Sequence, residues 1–202
     1  MSGLEQLRSR YPWPAERPDV VDDWMGWFRA TNERALTAAM PPKTRVIVEL
    51  GSLLGLSSRF LAEVVPEVTV ICIDHWKGSA EHQGREGWDD RLRELYPRFL
   101  RNLWPWRNRV VPMRSTTLDG MRELYELGIE PDLIYIDASH DELNVFLDVS
   151  TALELFPKAE LVGDDWLRSG VRIGVAQASA CCKFLNVPET NMWHLPVEGR
   201  RQ

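Results

Sequence analysis

Residues 46–58 (Val-Ile-Val-Glu-Leu-Gly-Ser-Leu-Leu-Gly-Leu-Ser-Ser) constrain the fold more than any other part of the chain. Three β-branched apolar residues run into Glu49, a tight turn follows with Gly51 and Gly55 spaced as G-x-x-x-G, and an apolar, helix-competent segment continues over 57–65. A buried parallel strand reads as such an uninterrupted apolar run and must be followed by a crossover, usually a helix. The glycines allow a sharp turn and a close approach of backbone to a ligand where any Cβ would clash. In open α/β sheets, ligands bind beyond the carboxyl ends of the strands, where this loop would lie. The dinucleotide fingerprint G-x-G-x-x-G is not met, because Leu53 stands where its second glycine belongs. The chain also has no G-x-x-x-x-G-K-[ST] phosphate loop.

The rest of the sequence repeats the strand–helix alternation. Strands are expected at 45–50, 68–73, 109–113, 132–136, 160–163 and 192–195, and helices at 20–40, 89–100, 118–127, 142–155 and 170–185. Residues 1–18, rich in Pro and Arg, read as an irregular arm, and Asp19 as the N-cap of a cap helix that ends at Pro41-Pro42. In that helix Trp24, Trp27 and Phe28 share a face. The expected fold is a Rossmann-like α/β domain: a doubly wound, mostly parallel, seven-stranded sheet with an N-terminal helical cap. Residues 1–43 form the arm and cap helix, and 44–202 one domain carrying a lid insertion at 77–108. His82, Trp88, Tyr96, Trp104 and Trp106 make that insertion aromatic.

Bulk properties exclude several classes. A net charge of -6 over 202 residues leaves no electrostatic footprint for nucleic acid. No apolar run approaches spanning length, and the charged start is not a signal peptide, so a cytoplasmic protein without a membrane partner is expected. Three cysteines, Cys72 in a strand and Cys181 beside Cys182, give no disulfide framework. The partner expected is a small molecule; the nine tryptophans suit a lid or a homodimer interface equally.

Acids close four of the strands: Glu49, Asp74, Asp137 and the pair Asp164-Asp165. One such acid is an ordinary helix cap, but five on one rim repel unless a cation or hydroxyls neutralise them. Asp74 follows Gly51 by 23 residues, the spacing of an acid that accepts hydrogen bonds from ribose hydroxyls in an adenosine-type ligand. Ser115 to Thr117 would meet adenine or cap the next helix. Trp76 would stack on adenine or pack against the insertion. Asp137, Asp164 and Asp165 form a hard-oxygen set suited to Mg²⁺, Ca²⁺ or Mn²⁺. His140, three residues beyond Asp137, would be a surface or capping histidine alone, and a proton acceptor beside a metal.

The ordered set Val48-Glu-Leu-Gly-x-x-x-Gly55, Ile73-Asp-His-Trp76, Ile134-Tyr-Ile-Asp-Ala-Ser-His140 and Leu161-Val-Gly-Asp-Asp-Trp166 resembles the small class I S-adenosylmethionine (SAM)-dependent methyltransferases. Within these it is most similar to the macrocin and mycinamicin sugar O-methyltransferases and the cephalosporin-hydroxylase-related group. The resemblance covers roughly residues 44–195. It implies SAM as cofactor, with Glu49, Gly51, Ser52, Gly55, Asp74, His75, Ser115, Thr116 and Asp137 around it. It also implies a probable-site set of Asp137, Asp164 and Asp165 for Mg²⁺, and His140 as the general base, with Asp137 at the catalytic centre. The implied reaction is O-methylation of a sugar diol, phenol or catechol. One departure stands out: many members carry an acid after strand three, where this chain has Arg114-Ser115-Thr116. A metal-independent methyltransferase, a non-catalytic nucleotide-binding protein and, third, an NAD-dependent oxidoreductase stay open.

Overall fold

The computed structural model of the chain describes residues 1–20, 26–79, 83, 88, 92–180, 185–187 and 190–199. The helices are α1 (Gly3–Arg10), α2 (Ala30–Ala39), α3 (Leu56–Val64), α4 (Leu95–Asn102), α5 (Thr117–Glu126), α6 (Glu142–Leu155) and α7 (Ser169–Ala178). The strands are β1 (Val46–Leu50), β2 (Thr69–Asp74), β3 (Val110–Arg114), β4 (Leu133–Ile136), β5 (Glu160–Gly163), β6 (Leu185–Asn186) and β7 (Trp193–Leu195). They form one sheet in the order β3-β2-β1-β4-β5-β7-β6, of which β6 is a two-residue edge. The first five pair in parallel, whereas β7 runs antiparallel to both β5 and β6.

Alternation along each strand splits the core into two layers. Val48, Leu50, Ile71, Ile73, Ile134 and Ile136 face α1, α5, α6 and α7. Ile47, Val70, Cys72, Leu133, Tyr135 and Val162 face α2, α3 and α4. Fully burying one such side chain contributes roughly 1.5–3 kcal/mol, so both faces of the sheet must be covered. The β1–β4 pairing is tied at its start by Asp132, whose carboxylate accepts the N–H groups of Arg45 at 2.7 Å and Val46 at 2.9 Å.

Three expectations need correction. The arm is not irregular throughout: Ser2 and Glu5 make a reciprocal capping box that starts α1, and Leu7 from that helix is fully buried. The cap helix starts at Ala30, not near Val20. Gly26 has φ 113 and Arg29 is extended, so the chain enters the helix late. Trp27 and Phe28 consequently do not share a helical face. Trp27 stacks on Trp88 at 5.9 Å, and Phe28 packs against Phe60 and Tyr135; Trp24 lies outside the described residues. The helix expected over 170–185 ends at Ala178, and Leu185–Asn186 is a strand. The helix expected from residue 89 is observed over Leu95–Asn102; residues 89–91, His82, Cys181 and Cys182 lie outside the described residues.

The N-terminal segment is pinned to the β2–β3 side of the sheet. Trp13 Nε1 donates to the Val110 carbonyl at 2.8 Å, and Glu123 takes the Tyr11 hydroxyl at 2.7 Å and Arg10 at 2.7 Å. Burial, and then the neighbouring Glu123 carboxylate, push the Tyr11 phenol up to about 12. Tyr11→Phe removes one hydrogen bond while Arg10 still pairs with Glu123. It should cost about 1 kcal/mol in a denaturant titration, with unchanged ligand binding. No described helix is long and apolar enough to cross a membrane.

Candidate active site

The order of the sheet reverses between β1 and β4, since β1 has β2 on one side and β4 on the other. The loops leaving these two strands diverge and leave a crevice, which is where open α/β sheets bind ligands. A cleft of about 1350 Å³ opens there, walled by the segments following β1, β2, β3, β4 and β5 and by residues 26–32.

The β1 loop forms one wall. Gly51, at φ 87, has its N–H on the Ile73 carbonyl, and a Cβ at this position would overlap the carbonyl of Asp137 and the backbone of Ala138. The glycine loop and the acid loop after β4 therefore touch backbone to backbone. Leu53 has φ 45, in the left-handed region that a glycine would occupy at no cost. It is held there from both sides: its N–H donates to Asp74 Oδ2 at 2.9 Å, and its carbonyl accepts Trp76 Nε1 at 2.8 Å. Gly51, Ser52 and Leu53 line the cleft. Glu49 and Gly55 do not. Gly55 packs against Leu103 at the start of α3. Glu49 is fully buried beneath the loop, where its Oε2 accepts the hydroxyls of Ser52 at 2.5 Å and of Ser58. Its Oε1 is buried with no hydrogen-bond partner among the described residues, and burial pushes its carboxyl up.

Asp74 and His75 line the next part of the cleft. Asp74 Oδ1 accepts the Trp76 N–H at 2.7 Å, so each oxygen carries one backbone hydrogen bond and retains lone pairs for a ligand. Trp76 itself is buried between Tyr96 and Phe99, which settles it as packing. Ser115 and Thr116 line the cleft, and Thr116 also caps α5 through the Asp119 N–H. Both readings of that stretch hold.

The acids gather as expected, with a different innermost set. Asp137, His140 and Asp165 each offer one ligand atom, all within 4.8 Å of one another. Burial and then the charges of Asp164 and Asp165 push the Asp137 carboxyl well up, against the pull of His140. Asp165 is held below its ordinary value, chiefly by His140, whose Nε2 lies 2.7 Å from Asp165 Oδ2. Asp164 is turned to other duties: Oδ2 accepts the Asn32 amide and Oδ1 the Asp165 N–H at 2.7 Å. The N-cap of α6 is Asp141, so Asp137 is not used as a helix cap. The donor set fits a hard divalent cation: repelling, half-buried carboxylates with a single imidazole among them and no thiolate.

Two supporting residues escaped sequence reading. Asn32, 4% exposed, reaches Asp164 from α2; its neighbours Thr31, Glu33 and Arg34 are polar too, so the sequence does not single it out. Asn191 binds Asp165 Oδ1 at 2.9 Å and the N–H groups of Trp166 and Leu167, bracing Asp165 at φ 56; its sequence context carried no signal. Of the expected lid, Gly78, Ser79 and Leu95 reach the cleft. Phe99, Leu100 and Leu103 pack on the sheet with Trp106 beside them, and Trp104 meets Trp13 edge-on.

With this geometry in place, comparison with known proteins is decisive at one level. Residues 48–166 match the family described as "Methyltransferase domain". The chain belongs to that family. Solved structures show the same fold at low identity. The O-methyltransferase TomG from Streptomyces achromogenes is 16% identical, with a TM-score of 0.61, covering 97% of this chain and 90% of that one. An O-methyltransferase from Bacillus cereus is 19% identical with a TM-score of 0.54, covering 96% and 90%. CalS11, a TDP-rhamnose 3'-O-methyltransferase, is 14% identical with a TM-score of 0.55, covering 96% and 92%. No curated protein sequence matches the chain. For a methyltransferase domain, the matched span contains the glycine loop, Asp74, Ser115, Asp137, His140 and both acids after β5.

Proposed function

We propose that this methyltransferase domain transfers a methyl group from SAM to a hydroxyl of a small molecule, with His140 as proton acceptor and a divalent cation at the acid cluster. The observation that carries the reading is one cleft joining the Gly51 loop and Asp74 to the Asp137–His140–Asp165 group. The TomG and Bacillus cereus structures are described as complexes with SAM and with S-adenosylhomocysteine (SAH), and CalS11 as a sugar 3'-O-methyltransferase, which supports both cofactor and acceptor class.

SAM supplies a methyl on a sulfonium, a leaving group that needs no proton, so the chain's task is positioning and proton removal. The Gly51 loop brings bare backbone to the ligand, and Asp74 accepts from its ribose hydroxyls. Asp137 and Asp165 are the residues that would hold the cation, which when bound would lower the pKa of the acceptor hydroxyl. His140 takes that proton on its imidazole, and Asp165, 2.7 Å away, stabilises the resulting imidazolium. Asn32 and Asn191 keep the paired acids in place.

A metal-independent reading has one observation in its favour: His140 Nε2 already stands 2.7 Å from Asp165 Oδ2, and Asp164 is satisfied by Asn32 and backbone. Calorimetry with SAH, with Mg²⁺ and with EDTA, followed by assays on vicinal diols and catechols, separates the two. SAH binding in both buffers with transfer abolished by EDTA is expected. Transfer that survives EDTA removes the cation, and no SAH heat in either buffer removes the cofactor.

A further inference from the structure

A second cavity, of about 330 Å³, lies behind the wall of the cleft at the ends of β2 and β3. Among the described residues the two share no lining, yet they alternate along the chain. Asp74, His75 and Gly78 line the cleft, whereas Trp76 and Lys77 line the cavity; Ser115 lines the cleft and Arg114 the cavity. The described residues around the cavity include three cations, Lys77, Arg93 and Arg114, and no carboxylate.

The positive charge there is held in place and left unmatched. Arg114 lays its guanidinium over the Tyr96 ring, 5.2 Å from the centroid, which steadies its planar fork. Trp76, 2% exposed, has its indole N–H on the Leu53 carbonyl and packs on Tyr96 at 4.8 Å, so the two rings give the cavity an aromatic wall. Asp74 is the register partner of Arg114 across β2 and β3, but its oxygens hold the Leu53 and Trp76 N–H groups. Among the described residues neither Lys77 nor Arg114 is ion-paired. Like charges gathered around a concavity repel one another and attract an anion. Arginine offers a fork that matches phosphate oxygens, and lysine adds a point charge.

We propose that this cavity is a second ligand site, taking the phosphate group of a small molecule between Arg114 and Lys77. The occupant is not the methyl acceptor: three strand spacings separate β3 from β4, roughly 14 Å, so a small acceptor at His140 does not reach Arg114. It is not the cofactor either, whose cleft lies on the other side of the same segments.

The test is nitrogen–proton correlation NMR on the full chain, titrated with sodium phosphate at constant ionic strength, with and without SAH. Saturable shifts at the amides of Lys77, Tyr96 and Arg114 are expected in both series. Arg114 is exposed, so Arg114→Gln should fold normally and weaken binding by roughly 10- to 100-fold, the range for one charge-assisted hydrogen bond. Lys158→Ala, which removes a surface lysine paired with Glu130, should leave phosphate binding unchanged. Phenyl phosphate binding tighter than inorganic phosphate identifies an ester whose organic part meets Trp76 and Tyr96; equal affinity identifies the free anion. Shifts that never saturate, that chloride reproduces, that SAH abolishes, or that persist undiminished in Arg114→Gln overturn the assignment. A failure of SAH to bind overturns the SAM reading alone, because the phosphate series without SAH still decides this one.

Discussion

Replacing His140 with alanine should lower methyl-transfer turnover by about 10²- to 10⁴-fold, the usual contribution of a positioned general base, while SAH affinity stays nearly the same. The separation follows from position. His140 stands in the acid group with Asp137 and Asp165, whereas the ligand's nucleoside end is served by Asp74 and the β3 loop. The variant also removes the partner that holds Asp165 low, so the acid group becomes more repulsive. Mn²⁺ binding followed by electron paramagnetic resonance tells the two roles of the imidazole apart. A variant that binds Mn²⁺ as well as the wild-type protein but turns over slowly has lost a base. One that no longer binds Mn²⁺ has lost a ligand. Undiminished turnover removes His140 from the mechanism.

Asp148→Asn should stabilise the free protein at neutral pH. Burial pushes the Asp148 carboxyl up from an ordinary 3.8 to about 6, with Asp141 adding to it and the Thr117 hydroxyl opposing. The folded protein therefore binds this proton more tightly than the unfolded chain. Stability is unaffected below about pH 4, falls as the pH rises toward 6, and is lower thereafter. At about 1.4 kcal/mol per pKa unit the penalty is on the order of 3 kcal/mol at pH 7. Asparagine carries no charge and keeps the oxygen that Thr117 needs. Urea melts should give a stability difference between variant and wild-type that is near zero at pH 4 and grows to pH 7. A difference independent of pH would show that the carboxylate is not the source. Asp137 and Asp164 are pushed up as well, but they are common to both proteins and cancel.

The parts of this molecule that obey local rules could be read from the sequence. The β1 apolar run, the turn at Gly51 and the acids closing β2, β4 and β5 all follow from strand burial and strand-end chemistry, and α6 has the bounds its capping and periodicity imply. Where the structure departs from those rules, a competing local signal outweighs them. Pro and Arg suggested a loose arm, but Ser2 and Glu5 start a helix and Leu7 anchors it in the core. The apolar and aromatic spacing of 20–28 suggests a helix, but Trp27 stacks on Trp88, Phe28 packs on α3 and β4, and Gly26 turns the backbone away. In the site, the sequence grouped three aspartates because they end strands; it could not show that Asn32 and the Asp165 N–H occupy Asp164 and leave His140 in its place. Asp148, a charge between Leu147 and Val149 in the middle of an apolar helix, is legible as an anomaly, and it is buried with Thr117 on one oxygen.

The tie between Asp132 and the start of β1 spans 87 residues of chain from Arg45, and that pairing has a consequence for how the protein reaches its working form. The glycine loop can form with β2 alone, but its contact with the Asp137 loop exists only after β4 has inserted beside β1. Such distant pairing is entropically expensive and slow. The cleft is thus absent from any chain in which β4 has not paired with β1. A ligand that spans both loops rewards only the finished sheet, shifting the folding balance by an amount set by its concentration over its dissociation constant. The abundance of cofactor would then govern how many chains stay assembled, as well as how fast each one works.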